Sequence, residues 1–401
     1  ARSEKEEQTS RQGTFFQKLR SVLSLSLAAA LTAGMPGSVL AASPEFARTA
    51  EEWATLRDNT LEYGEIPDLI HEYNSTVQNN MISYDDYRGK DANEIADDYR
   101  EAAQTLYDSV EWPSEDDSGY AMLYSAAETA QAQARQMEKM ADENVSDGMI
   151  IKWQYDQVEA SLASTAQNLM NQYYQLQENL KTAQSGKELA EASLQSVQTQ
   201  ANLGMATAND VLAAQEAVKT AEAGIISIES SIQSVKQNLQ VMTGWAYNSE
   251  PVIAEMPQVD VTRIDAMNPE TDLEKALDTN YTLMIDKRTL ENTDDAANQQ
   301  IARQTIANDE QQIASGLTDL YNQVLQARDS YNQAQSALAL EEQNMAAAQT
   351  RYDLGMVSRL EYLQAQNTYT QSQVNFRIQE LSLQAAMDAY DWALQGNLTL
   401  S

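Results

Sequence analysis

From Ile150 onward the apolar residues recur at the spacing of a coiled coil. Leu162, Leu169, Leu176, Ala183, Ala190 and Val197 return every seven residues, with Ala166, Tyr173, Leu180, Leu194 and Ala201 at the alternate seam positions. Past a short break the register resumes as Val211, Ala214, Val218, Ala221, Ile225, Ile228, Ile232, Val235, Leu239 and Met242. Nearly five heptads on each side of a tight turn predict an antiparallel helical hairpin. At about 1.5 Å per residue its first arm is roughly 80 Å long. A second hairpin follows. Ile313, Leu317, Leu320, Val324, Ala327, Tyr331, Ala334, Leu338, Met345, Ala348 and Tyr352 form one seam, and Tyr362, Tyr369, Phe376, Leu383 and Tyr390 the other. Val374, Ile378, Leu381 and Ala385 widen that last stripe, so its helix must meet more than one neighbour.

The two turns are copies. Asn202 to Gln215 and Asp353 to Gln366 share Leu-Gly-Met, and the offset of 151 residues holds from Gly204 to Gly355, from Leu212 to Leu363 and from Gln215 to Gln366. Such an internal repeat fixes architecture before any single motif does. It predicts an all-α chain of two tandem repeats, residues 43–244 and 272–396, with a linker at 245–271 and a tail at 397–401. The linker is punctuated by Pro251, Pro257 and Pro269 and holds at most a short extended piece. Residues 44–110 are patterned as helices interrupted near Gly64–Pro67 and Arg88–Asp91. Loops are predicted at 111–119 and 141–148.

Composition narrows the class. The chain carries 60 acidic against 26 basic residues, a formal charge of −34, which argues against nucleic acid as a partner. It has no cysteine, so disulfides, thiolate metal sites and a lipidated cysteine anchor are excluded. Lys18 and Arg20 precede an apolar run, Val22 to Ala33, and then Val39-Leu40-Ala41-Ala42. This is the pattern of a secretory signal over residues 1–42, cut after Ala41 or Ala42. The run is too short to span a bilayer. His71 is the single histidine, and no phosphate loop or nucleophile motif is present. No catalytic residue, cofactor or metal site is predicted. The chain is not expected to be an enzyme.

Arg351-Tyr-Asp-Leu-Gly-Met-Val-Ser-Arg-Leu-Glu-Tyr-Leu-Gln-Ala-Gln366, with its echo from Asn202 to Gln215, resembles the tip motif of the TolC family of outer-membrane efflux ducts. The resemblance covers most of residues 150–396 and 44–149 only loosely. It implies a homotrimer closing a twelve-helix α-barrel, an exported protein at the cell envelope or outer membrane, and passive conduction. It also implies a periplasmic adaptor (a membrane fusion protein) and an inner-membrane RND or ABC transporter as partners. Leu203, Gly204 and Met205, with Leu354, Gly355 and Met356, would be the adaptor-docking turns. Asp210 and Glu361 would line the constricted tip. Locally, glycine also ends a helix cheaply, and an acid in a first turn also complements the helix dipole. One family feature is missing: Asn298 to Leu317 is patterned as a polar helix, and Gly119 to Tyr124 is too short for a membrane strand, so the β-barrel hairpins are expected to be absent. A structural coiled-coil spacer of the envelope, without a pore, is the competing class.

Overall fold

A computed structural model describes residues 43–246 and 248–400; the segment 1–42 read as a secretory signal lies outside them. The helices are α1 (Ala50–Leu56), α2 (Ile66–Tyr73), α3 (Ser75–Tyr84), α4 (Ala92–Ser109), α5 (Tyr120–Asp142), α6 (Gly148–Asn202), α7 (Ala208–Met242), α8 (Pro269–Thr279), α9 (Tyr281–Asn292), α10 (Ala296–Asp353) and α11 (Arg359–Ala393). Two strands of two residues each, β1 (Thr60–Leu61) and β2 (Val252–Ile253), pair in parallel. The expected all-α class holds. The polar stretch 298–317 lies within α10, and Gly119 is the left-handed residue before α5. The chain breaks between α9, which ends at Asn292, and α10, which starts at Ala296.

The chain divides into two compact units. The first takes in the described residues 78–156 and 283–307. Its centre is a hairpin that sequence patterning did not resolve. On α4, Ala96, Tyr99, Ala103 and Leu106 are buried, and on α5 the buried residues are Ala127, Ala134 and Ala141. These spacings are coiled-coil spacings written in alanine, which lets the helices approach closely at small cost in surface. Tyr87, Ile95 and Ile151 complete this core, with Tyr84, Met137 and Tyr155 against it. A capping box starts α4: Asp91 accepts from the Glu94 backbone N–H at 2.9 Å, and Glu94 accepts from Asp91 N–H at 2.9 Å. Buried Asp147 caps α6 by accepting from Ile150 N–H at 2.9 Å, while Arg288 donates to its other oxygen at 2.6 Å. Burial opposes ionisation of Asp147, but these donors outweigh it and lower its pKa.

The second unit comprises 41–77, 157–282 and 308–401. Its buried apolar residues include Leu61, Ile66, Leu69, Ile70 and Leu239. Tyr174 on α6 donates to the carbonyl of Ala254 at 2.6 Å, holding β2 in place. Tyr63 donates to Asp388 on α11 at 2.5 Å, and Arg263 pairs with Asp388 and Asp391. Asn171 donates to the carbonyl of Leu381 at 2.7 Å, joining α6 to α11. At Gly244 (φ 87°) the backbone passes Tyr73 so closely that a Cβ would sit 2.3 Å from the Tyr73 Cβ.

The seam read from sequence matches the observed burial on α7, α10 and α11. Every seam position named for α7, from Val211 to Met242, is buried or half-buried, and almost all the residues between are exposed. On the first half of α6 the seam position Ala166 is buried, and so are Ala160, Ala163 and Met170, which lie off the seam read from sequence. Leu162 and Leu169 are only half-buried. The buried face of this part of α6 is therefore broader than the predicted seam and includes Ala163 and Met170 beside Ala166.

Glu65, at the start of α2, generates a test. Its Oε1 accepts from Glu62 N–H at 2.8 Å, while Oε2 is buried without a hydrogen bond. Burial, with Asp58, Glu62 and Asp68 nearby, raises its pKa to about 7. A raised carboxyl pKa means the folded state holds the proton more tightly than the unfolded chain. The associated stability is complete below the unfolded pKa and is lost as pH rises toward 7. Glu65→Gln should flatten the decline in urea midpoint between pH 5 and 7, by about 1.4 kcal/mol per pH unit within that window, and leave the variant more stable at pH 8. An unchanged pH profile would refute the assignment.

Candidate functional site

Each tip begins where a long helix runs out of apolar partners and must reverse. At the end of α6, Met205 N–H donates to the Gln200 carbonyl at 2.8 Å and Gly204 N–H to the Ala201 carbonyl at 3.0 Å. At the end of α10, Met356 N–H donates to Arg351 at 2.8 Å and Gly355 N–H to Tyr352 at 2.9 Å. Both are Schellman closures, which satisfy the last helical carbonyls and need a left-handed residue after the helix. Gly204 (φ 73°) and Gly355 (φ 70°) supply it. Neither glycine has a neighbouring atom that a Cβ would strike, so the requirement is conformational rather than steric.

The restart is equally matched. Thr207 caps α7: its hydroxyl accepts from Asp210 N–H at 3.3 Å, while the Asp210 carboxylate accepts from Thr207 N–H at 2.7 Å and from its hydroxyl at 2.7 Å. Ser358 caps α11 in the same way, with Glu361 N–H donating to Ser358 Oγ at 3.2 Å and Ser358 N–H donating to Glu361 at 2.7 Å. These are reciprocal capping boxes. The donated backbone N–H, then the capping hydroxyl, holds each carboxyl below its ordinary pKa. Thr207 and Ser358 were missed in reading the sequence, although Thr-x-x-Asp and Ser-x-x-Glu before a helix are the signal that finds them.

Between closure and cap, each turn presents bare apolar side chains. Leu203, Met205, Leu354 and Met356 are 66–75% exposed. Large exposed apolar residues paired at the end of a hairpin mark a contact surface more than a core. Asp210 and Glu361 are each engaged within their own turn; among the described residues no hydrogen bond joins them. The second tip carries an added lock: Tyr352 and Tyr362 stack with ring centres 4.6 Å apart, and Tyr362 donates to Gln349 at 2.6 Å. The offset puts Ala201 and Val211 at the corresponding places of the first tip. Farther up the first hairpin, Ala183, Gly186, Ala190, Ala217 and Gly224 line a shallow groove between α6 and α7. Lys187, a charged residue at a seam position of α6, pairs with Glu222 on α7 at 3.3 Å.

Among the described residues no cluster of His, Asp and Glu is arranged to hold a metal ion, and no helix is long and apolar enough to cross a membrane. His71 lies away from the tips, with Nδ1 2.8 Å from Glu159.

No family model matches the chain, and no curated protein does. Solved structures do. A membrane protein from Pseudomonas aeruginosa aligns at 12% identity over 83% of this chain and 93% of its own, with a TM-score of 0.51. The CmeC outer membrane channel of Campylobacter jejuni aligns at 12% identity over 92% and 91%, with a TM-score of 0.49. The outer membrane protein VceC of Vibrio cholerae aligns at 13% identity over 83% and 96%, with a TM-score of 0.47. At such identities the likeness is one of fold, and the P. aeruginosa structure establishes that it is shared. The chain is TolC-like in architecture, with helical hairpins and almost no strand among the described residues.

The tips make a ranking testable. Gly204→Ala and Gly355→Ala should each cost about 1–2 kcal/mol, the penalty for an L side chain in the left-handed region. Thr207→Ala and Ser358→Ala should each cost about 1 kcal/mol through the lost cap. Gly244→Ala should cost more than either tip glycine, since it adds the clash with Tyr73. Urea unfolding of the five variants measures the order; a tip glycine more sensitive than Gly244 would contradict it.

Proposed function

We propose that this chain is the protomer of an exported, passive duct of the cell envelope, acting in efflux or secretion. Three copies, each giving two hairpins, would close a twelve-helix α-barrel with repeat units at 43–244 and 272–396. Substrate movement would be driven by a separate inner-membrane RND or ABC transporter, joined through a periplasmic adaptor. No chemistry is assigned to the duct itself. Its place would be the outer membrane by resemblance, or an extracytoplasmic surface if the family's β-barrel hairpins are absent.

The observation that carries this reading is the duplication of the tip in atomic detail. Closure, glycine, exposed Leu and Met, and capping carboxylate recur at the same offset, as an assembly with alternating equivalent hairpins requires. A second observation agrees. Leu212, Ile226 and Leu340 lie outside the seam of their own hairpin and are exposed, leaving apolar surface for neighbouring helices. In such a ring Leu203, Gly204, Met205, Leu354, Gly355 and Met356 would meet the adaptor. Asp210 and Glu361 would gather as six carboxylates near the axis, favouring cations. Assembly would then raise carboxyl pKa values that the isolated turn lowers, because like charges would converge.

Native mass measurement decides between duct and spacer. Three chains of 44.5 kDa make roughly 130 kDa, and negative-stain images should show an axial hollow. A monomer or dimer without a lumen would favour the coiled-coil spacer. In a duct, replacing Gly204 and Gly355 together with bulky residues should abolish export while the trimer persists. Undiminished export would remove the tips from the docking role.

A further inference from the structure

The α4–α5 hairpin of the first unit ends in bare aromatic and apolar side chains. Trp112, in the connecting loop, is 49% exposed, and on the first turns of α5 Met122, Leu123 and Tyr124 are 76%, 42% and 38% exposed. The rings gather: the Tyr124 ring centre lies 5.3 Å from that of Trp112 and 5.6 Å from that of Tyr120. The loop carrying them is closed by its own hydrogen bonds. Asp117 N–H donates to the Ser114 carbonyl at 2.9 Å, Tyr120 N–H to the Asp117 carbonyl at 3.1 Å, and Ser114 N–H to the Asp117 carboxylate at 2.7 Å. Gly119 (φ 81°) turns the chain into α5. The buried seam residues nearest this end are Leu106 on α4 and Ala127 on α5, so the exposed group lies beyond the seam. An apolar patch that the fold does not use marks a contact surface.

Charge decides what can cover it. Between Arg100 and Arg135 the chain has seven acids and no lysine, arginine or histidine, and Glu111, Glu115, Asp116 and Asp117 stand in the loop itself. A second copy would bring matching carboxylates together, and an anionic lipid surface would repel them. An ammonium-bearing headgroup is attracted both by carboxylates and by aromatic faces. Size points the same way. Trp112, Tyr120, Met122, Leu123 and Tyr124 are far fewer than the roughly 20–30 residues a side of a stable protein interface. A bilayer sets no such minimum, because Trp and Tyr settle at its boundary with the ring in the apolar layer and the N–H or O–H in the wet one. We propose that this hairpin end seats on a membrane surface of zwitterionic lipids. Trp112, Met122, Leu123 and Tyr124 enter the interfacial layer, and the loop carboxylates face the choline or ethanolamine ammonium groups. The contact is superficial, since one or two helical turns cannot span the hydrocarbon. It does not rest on the duct reading: a monomeric spacer would bind in the same way.

Vesicle flotation of the full chain tests it. The protein should float with phosphatidylcholine vesicles, and vesicles one-third phosphatidylglycerol should hold it about threefold more weakly at low salt. Met122→Ser with Leu123→Ser should weaken binding to phosphatidylcholine about tenfold through lost apolar burial. Its urea midpoint should stay that of the parent, because neither side chain is in the seam. Bromine-labelled phosphatidylcholine should quench part of the parent's tryptophan emission, and Trp112→Phe, which keeps the other four tryptophans, should lose that part. Failure to float with phosphatidylcholine overturns the proposal. So does flotation untouched by the double variant, or quenching that persists in Trp112→Phe. Tighter binding to phosphatidylglycerol overturns the ammonium headgroup, and a double variant of lower native mass than the parent makes a second copy the occupant instead. A parent that floats yet proves monomeric leaves this contact standing and removes the duct.

Discussion

A two-helix seam is narrow, and this protein is organised by that limit. Two apolar positions per heptad bury one stripe of each helix and leave the rest of its circumference to water or to other helices. Along α7 the seam residues nearest the tip, Val211 to Ile228, are half-buried, and cover becomes complete only from Ile232 onward. Toward the tip each hairpin is held by its own stripe, by Lys187 with Glu222 in the first and by stacked tyrosines in the second. The apolar residues left outside the stripe, and the bare Leu and Met of the turns, follow from the same geometry. In the proposed barrel each helix would have two neighbours, and one hairpin provides one of them.

The turns are consequently built to close themselves. With little core at the tip, backbone groups must be satisfied within about ten residues, by a Schellman closure on one side and a capping box on the other. Asp210 and Glu361 are first of all parts of that closure. Any function at the axis would be added to residues already required locally, which is why their shared position alone did not reveal their role.

The first unit is built on an α-hairpin whose apolar face is written largely in alanine. Its core uses alanine at seven-residue intervals on α5 and alternates Ala with Tyr or Leu on α4. Alanine contributes little to an apolar pattern, because it is common on both faces of a helix. The face therefore becomes visible only when the partner helix is in place.

The sequence alone determined the second hairpin, the α7 register, the tip positions and the absence of long strands, since each depends on residues within a few turns of one another. Tertiary structure decided which residues beside Ala166 on α6 lie deepest, and it chose Ala163 and Met170 over Leu162 and Leu169. It also paired Thr60 with Val252 and brought Ser43 to Glu72. Those choices depend on partners far along the chain, as when Asn171 meets Leu381. Local periodicity can say that a stripe exists; close approach of distant backbones decides which stripe is covered.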